Sequence, residues 1–171
     1  LYVTVTEGCN LRCEHCITKA PEATRSGRAR QIRPWLIERL AEPFAFADYV
    51  GFSHGGESLT SPRFFDVLDA LTRARSRRPG RCEVHLLTNG MLLDERRTKR
   101  LIDGGVTSLA VSIDGASPET NDHLRRGAEL ERILENVARA LSIREATKSD
   151  LRIGISFVAT RSNLSELPRL G

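Results

Sequence analysis

Three cysteines fall within eight residues near the amino end, Cys9, Cys13 and Cys16, separated by three residues and then by two. Thiolates are the standard ligands of iron–sulfur clusters, so one loop with three of them can take three corners of a four-iron cube. The remaining iron then has no protein ligand, and an open metal position is what a catalytic centre needs. A structural zinc site completed by His15 is the alternative. Against it, His15 directly precedes Cys16, and adjacent residues seldom turn both side chains to one ion. A disulfide framework would want more cysteines, spread along a short secreted chain.

Polar, glycine-containing segments recur further along, and each follows a run of β-branched or apolar residues. His54, Gly55, Gly56 and Glu57 follow the second run, Thr88, Asn89 and Gly90 end the third, and Ser112, Ile113, Asp114 and Gly115 end the fourth. The runs predict strands at 1–6, 49–53, 82–88, 108–113 and 152–159. Between them, apolar residues at helical spacing predict helices at 34–40, 61–76, 94–103 and 129–145. Pro34 suits an early helical position, Ser61 is a candidate cap, and Gly104 with Gly105 closes the third helix. Leu130, Ile133, Leu134, Val137 and Leu141 form the expected buried side of the last. Strand–helix alternation argues for a parallel sheet in an α/β fold. A closed eight-unit barrel needs more chain, so the expectation is a partial (β/α)6 TIM-like barrel, truncated before its sixth strand. In such sheets ligands bind beyond the carboxyl ends of the strands, where the cysteine loop and all three polar segments belong.

The cysteine spacing, followed by two glycines and a glutamate and then by serine-x-aspartate, resembles the core of the radical S-adenosylmethionine (SAM) superfamily. The likeness covers nearly the whole chain. Val111 to Gly115, then Pro118, Glu119, Arg125, Arg126 and Gly127, resemble the branch with a further SPASM or twitch cluster domain. The resemblance implies a 4Fe–4S cluster on Cys9, Cys13 and Cys16, with SAM (S-adenosyl-L-methionine) chelated to the open iron. It implies that Gly55, Gly56 and Glu57 bind the methionine ammonium, that Ser112 and Asp114 hold the ribose hydroxyls, and that Asn89 lies near the same ligand. The segment around Ile153, Gly154 and Ile155 corresponds to one packed beside the adenine. Reductive carbon–sulfur cleavage would give methionine and a 5′-deoxyadenosyl radical that takes hydrogen from a substrate. A reducing partner of the flavodoxin or ferredoxin type and a peptide or small-molecule substrate follow from the likeness, a peptide or natural-product precursor being preferred. A nucleoside- or RNA-modifying enzyme is the second reading, and a zinc-stabilised, non-catalytic binding module the third.

Individually, several of these residues have plainer readings. Glu57 alone could be a loop glutamate, Ser112 and Asp114 helix caps, and Asn89 with Gly90 a turn. His15 departs from the aromatic residue usual at its place, and Ser58 from the usual proline. His54 reads as a structural histidine, and Arg125 or Arg126 could neutralise a carboxylate, although each alone reads as surface. Cys82 begins the third strand, roughly 20 Å from the cysteine face at ordinary strand rise, and reads as a small buried residue rather than a ligand.

The chain's 171 residues, 40% of them hydrophobic, suffice for one domain with a core. Its first residue is Leu1 and its last helical pattern is just beginning, so residues 1–171 read as one core domain cut from a longer protein, without its last strand or any C-terminal cluster domain. No membrane span or signal segment is visible, and a cytoplasmic location is the default. The formal net charge is +4, with basic stretches at Arg25, Arg28, Arg30 and Arg33 and at Arg73, Arg75, Arg77, Arg78 and Arg81. These read as solvated faces. Without interleaved aromatic residues, a nucleic-acid partner is the lesser alternative.

Overall fold

A computed structural model describes residues 1–77 and 80–170, so Arg78 of the second basic stretch and Gly171 lie outside the described residues. In chain order the strands are β1 (Arg12–Cys13), β2 (Tyr49–Phe52), β3 (Glu83–Thr88), β4 (Ser108–Ser112), β5 (Arg125–Arg126) and β6 (Arg152–Ser156). The helices are α1 (Ala20–Arg25), α2 (Pro34–Arg39), α3 (Ala41–Phe46), α4 (Phe64–Ser76), α5 (Glu95–Asp103), α6 (Pro118–Leu124) and α7 (Leu130–Ala146). The predicted parallel sheet is present, in the order β2-β3-β4-β6. One face, with Val50, Phe52, Val84, Leu86, Leu109 and Val111, is buried in a single core with Phe64, Leu68 and Leu71 of α4 and Leu101 of α5. The other carries His85, Leu87, Ser108, Ala110 and Ser112 and is only half buried.

Residues 1–6 depart from the expected strand. Their amino half lies parallel to β2, where the Val3 amide donates to the Gly51 carbonyl at 3.0 Å and Tyr2 bridges Gly51. Their carboxyl half turns to the opposite side, where Ile32 donates to the Val5 carbonyl at 2.8 Å and Thr6 bridges Gln31. Val3 and Val5 stay buried throughout, so core burial holds an extended segment that two partners share. The helix expected at 34–40 is α2, but α1 and α3 accompany it, and α6 is a further unpredicted helix.

Ser61 stands two residues ahead of the N-cap Arg63, and its hydroxyl accepts from the Arg63 amide at 3.3 Å, so it holds the entry turn and not the first helical turn. Residues 58–60 form a 3-10 turn capped by the Glu57 carboxylate, and Ser61 follows it in extended backbone, donating to Gln31 Oε1 at 2.9 Å. The helix itself starts at Phe64. By contrast α5 is bounded as predicted, with Asp94 accepting from the Arg97 amide at 2.7 Å and Gly104 at its carboxyl end. On α7, Leu134 is 47% exposed, whereas Leu130, Ile133 and Ala140 are buried. At 3.6 residues per turn Leu134 sits about 100° round from the middle of that stripe. Asn136 is buried in its place and donates to the Gly90 carbonyl at 2.9 Å. Among the described residues no helix is long and apolar enough to cross a membrane.

Candidate cofactor site

The loop after β2 is built against the backbone that leads to the cysteines. The Gly56 amide donates to the Thr6 carbonyl and the Glu57 amide to the Gly8 carbonyl, both at 2.8 Å. A Cβ on Gly56 would lie 1.8 Å from the Gly8 oxygen, so this approach admits only glycine. Gly55 has φ +93 and accepts from the Thr18 hydroxyl at 2.8 Å, which draws in the loop beyond Cys16. Glu57 is buried and joins three segments. Its Oε1 accepts from the Thr88 hydroxyl at 2.8 Å and the Leu59 amide at 3.1 Å, and its Oε2 from the Asn89 amide at 2.7 Å. Burial pushes its carboxyl above the usual range, and those donors pull it back.

Asn89 closes the site from β3. Its side-chain amide donates to Asn10 Oδ1 at 2.9 Å and lies 3.9 Å from the Cys9 sulfur, while its Oδ1 accepts from the Met91 amide at 3.1 Å. The cysteine loop is held on its other flank by a two-residue antiparallel ladder in which Arg12 faces Arg126 and Cys13 faces Arg125. The Glu14 amide extends that ladder to the Leu124 carbonyl at 2.9 Å. Arg125 is buried in consequence. Arg126 points outward to Glu14, because neighbours on a strand take opposite sides.

Cys9, Cys13, Cys16, Gly55, Gly56, Glu57, Asn89 and Ser112 all line one cavity of about 370 Å³, together with His15, His54, Arg125 and Val158. The volume is ordinary for a small-molecule site. Asp114 is the exception among the predicted residues. It is fully buried and does not line the cavity; its Oδ2 accepts from Arg125 Nη1 at 2.6 Å and lies 3.1 Å from His15 Nε2, and its Oδ1 accepts from the Val158 amide at 2.7 Å. Both of its oxygens are thus engaged by protein donors. The surface reading of Arg125 is corrected: the residue is buried. His54 is exposed, and its ring is stacked 4.8 Å from that of Tyr2 with Nδ1 3.2 Å from the Ser53 hydroxyl.

Burial pushes the Cys9 thiol up to about 11, against the pull of the Leu11 amide, which donates to its sulfur at 3.4 Å. The Cys13 thiol is also raised by burial and pulled down by Arg125. Buried thiols of this kind are protonated near neutrality until a metal displaces the protons. Among the described residues no three His, Cys, Asp or Glu side chains are gathered on a single-ion site. A cube takes one thiolate per iron and does not require that. His15 commits its Nε2 to Asp114 instead of to the thiols. Two buried nitrogens in the cavity wall, His15 Nδ1 and Arg125 Nε, have no hydrogen-bond partner. Soft thiolates beside an unmet cationic donor fit an iron–sulfur cluster with an anionic ligand at its side.

A model of the radical SAM superfamily matches residues 3–155. The chain belongs to that superfamily. It is 31% identical over 167 residues to the AdoMet-dependent heme synthase of Methanosarcina barkeri, covering 96% of this chain and 44% of that protein. It is 31% identical over 147 residues to a GTP 3′,8-cyclase of Peptoclostridium acidaminophilum, covering 84% and 42%. Its fold matches that of native anSMEcpe with bound AdoMet and Cp18Cys peptide at a TM-score of 0.68 and 23% identity, over 99% of this chain and 46% of that one. The chain thus spans less than half the length of each of these relatives. A 4Fe–4S cluster and SAM are the cofactors that membership in the radical SAM superfamily implies, and the cavity's residues fit both.

Sequence reasoning did not single out Asn10 or Thr18, and it left open which of Arg125 and Arg126 faces the cavity. For Arg125 a signal was present. Two adjacent arginines before Gly127 in a strand-forming stretch require one to face inward, though not which one.

Proposed function

We propose that this chain holds a 4Fe–4S cluster on Cys9, Cys13 and Cys16 and binds SAM beside it, and that it modifies a peptide or natural-product precursor by a radical route. The observation that carries this reading is the convergence of three thiols, Glu57 and the partly unpaired Arg125 on one cavity. When bound there, the reduced cluster supplies the electron that cleaves SAM to methionine and a 5′-deoxyadenosyl radical. Gly55, Gly56 and Glu57 receive the methionine ammonium on backbone carbonyls and carboxylate, and Arg125 receives its carboxylate. Ser112, whose hydroxyl bonds no side chain or amide among the described residues, takes the ribose. Asn89 keeps the cysteine loop at a fixed distance from β3 through Asn10. Leu87 and Val158 help exclude water at the cavity wall. The electron comes from a flavodoxin- or ferredoxin-type partner.

A peptide substrate is supported by the peptide held in the similar anSMEcpe structure. A nucleotide substrate is the second reading, favoured by the GTP 3′,8-cyclase relative and the net charge of +4. The test is anaerobic reconstitution with iron and sulfide, then reduction with dithionite in the presence of SAM. Release of 5′-deoxyadenosine and methionine in equal amounts is the expected result. A colourless protein that binds zinc and leaves SAM intact overturns the proposal.

A further inference from the structure

Asp114 uses every polar atom it has on the protein itself. Besides the two side-chain hydrogen bonds and the His15 contact already described, its amide donates to Asn121 Oδ1 at 3.0 Å and its carbonyl accepts from Asn163 Nδ2 at 2.9 Å. Its partners come from four places: the cysteine loop, the end of α6 with β5, the segment after β6, and the turn at Asn163. Three of them, His15, Arg125 and Val158, line the cavity, and the first two each keep one buried nitrogen without a partner. A buried carboxylate that grips one end of a guanidinium fixes where the other end points. The His15 ring lies against the same carboxylate oxygen, its Nε2 3.1 Å away, which sets the side to which its Nδ1 turns.

Resting on the functional reading above, we propose that Asp114 is a positioning residue rather than a ribose ligand. Through Oδ2 it holds Arg125 and His15 in the cavity wall, and so it sets the grip on the carboxylate end of the ligand without touching the ligand. The β4 exit thus divides its work. Ser112 faces the nucleoside half of the cavity, and Asp114, two residues on and turned into the protein, governs the amino-acid half.

The test uses the reconstituted protein and two fragments of the cofactor, L-methionine and 5′-deoxyadenosine, with affinities measured by calorimetry. Asp114→Asn places an amide donor against two donors and releases Arg125 and His15. It should weaken L-methionine by about 10- to 100-fold, the loss of a charge-assisted contact, and leave 5′-deoxyadenosine within about twofold. Ser112→Ala should show the reverse pattern. In an Arg125→Gln background, Asp114→Asn should cost little further, because both act through one guanidinium. Should Asp114→Asn not fold, His15→Ala and His15→Gln carry the test. The alanine variant should lose methionine affinity and the glutamine variant, which can still donate to Asp114, should recover it. Selective loss of 5′-deoxyadenosine in Asp114→Asn, independent losses in the double variant, or a glutamine variant no better than the alanine one overturns the proposal. Wild-type protein that binds neither fragment nor SAM overturns the functional reading instead.

Discussion

The two ends of the parallel sheet each carry a depression, and the larger one is not the site. At the amino ends of the strands an open groove of about 800 Å³ runs past Asp48, Arg81, Cys82, Glu83, Asp150 and Arg152. At the carboxyl ends the cavity that holds the three cysteines is less than half that size, about 370 Å³. At the amino end Arg152 and Glu83 pair with each other at 2.7 Å. Among the described residues, the buried side-chain nitrogens and oxygens without a partner are His15 Nδ1, Arg125 Nε and Arg63 Nε. The first two line the smaller cavity, and none of the three lines the larger groove. Unmet bonding capacity in a low-dielectric wall is costly unless a ligand meets it. It therefore marks a binding site more sharply than volume does.

The cysteines give the most severe way to break this contrast. Cys13→Ala removes one corner of the cluster and should abolish iron loading and SAM cleavage, read as iron content and as 5′-deoxyadenosine released. Cys82, half-buried at the amino end, should tolerate alanine with both readouts within about twofold of wild type. Equal losses in the two variants would mean that the two ends of the sheet are not chemically distinct.

Much of this contrast is legible without coordinates, because strand direction alone assigns Cys9, Glu57, Asn89 and Ser112 to one end and Cys82 to the other. Local signals also bounded α5, where an aspartate cap and a glycine stop act within a few residues. What stayed hidden was tertiary. Cys82 is half-buried rather than buried, because it precedes β3 at the rim of the groove. Residues 1–6 share their bonds between β2 and residues 30–32, which no local pattern announces. Ser61 lost its expected cap to the 3-10 turn that Glu57 organises across 31 residues of sequence through Thr88. The role of Asp114 depends on a ladder two residues long, whose register alone decides that Arg125 and not Arg126 meets it.

Backbone approach offers a second, smaller perturbation of the same contrast. A Cβ on Gly56 would collide with the oxygen, carbon and nitrogen of Gly8, all backbone atoms that cannot step aside singly. Gly56→Ala should destabilise the fold by about 2–4 kcal/mol and lower cluster loading in proportion. At the amino-end groove a Cβ on Gly80 would meet only the tip of Arg75, at 3.4 Å. Gly80→Ala should stay within about 0.5 kcal/mol of wild type. Urea unfolding of both variants measures the difference, and a tolerant Gly56 would show that the two loops do not pack as tightly as the structure has them.

The smallest effect belongs to a carboxylate at the rim of the functional end. Glu166 accepts from the Ala116 amide at 2.6 Å and from the Thr120 hydroxyl, and the hydroxyl, ahead of the amide, holds its carboxyl below the usual range. A carboxyl lowered in the folded state adds stability above its unfolded value near 4.5, and that stability is lost as pH falls through the folded value. Because the group is open to solvent, the global unfolding midpoint should scarcely move. The local signature is sharper: hydrogen exchange at the Ala116 amide should accelerate as pH falls below the usual carboxylate range, beyond the intrinsic trend. Glu166→Gln should show the faster exchange at every pH and no such step. A step that persists in the glutamine variant would place the titrating group elsewhere.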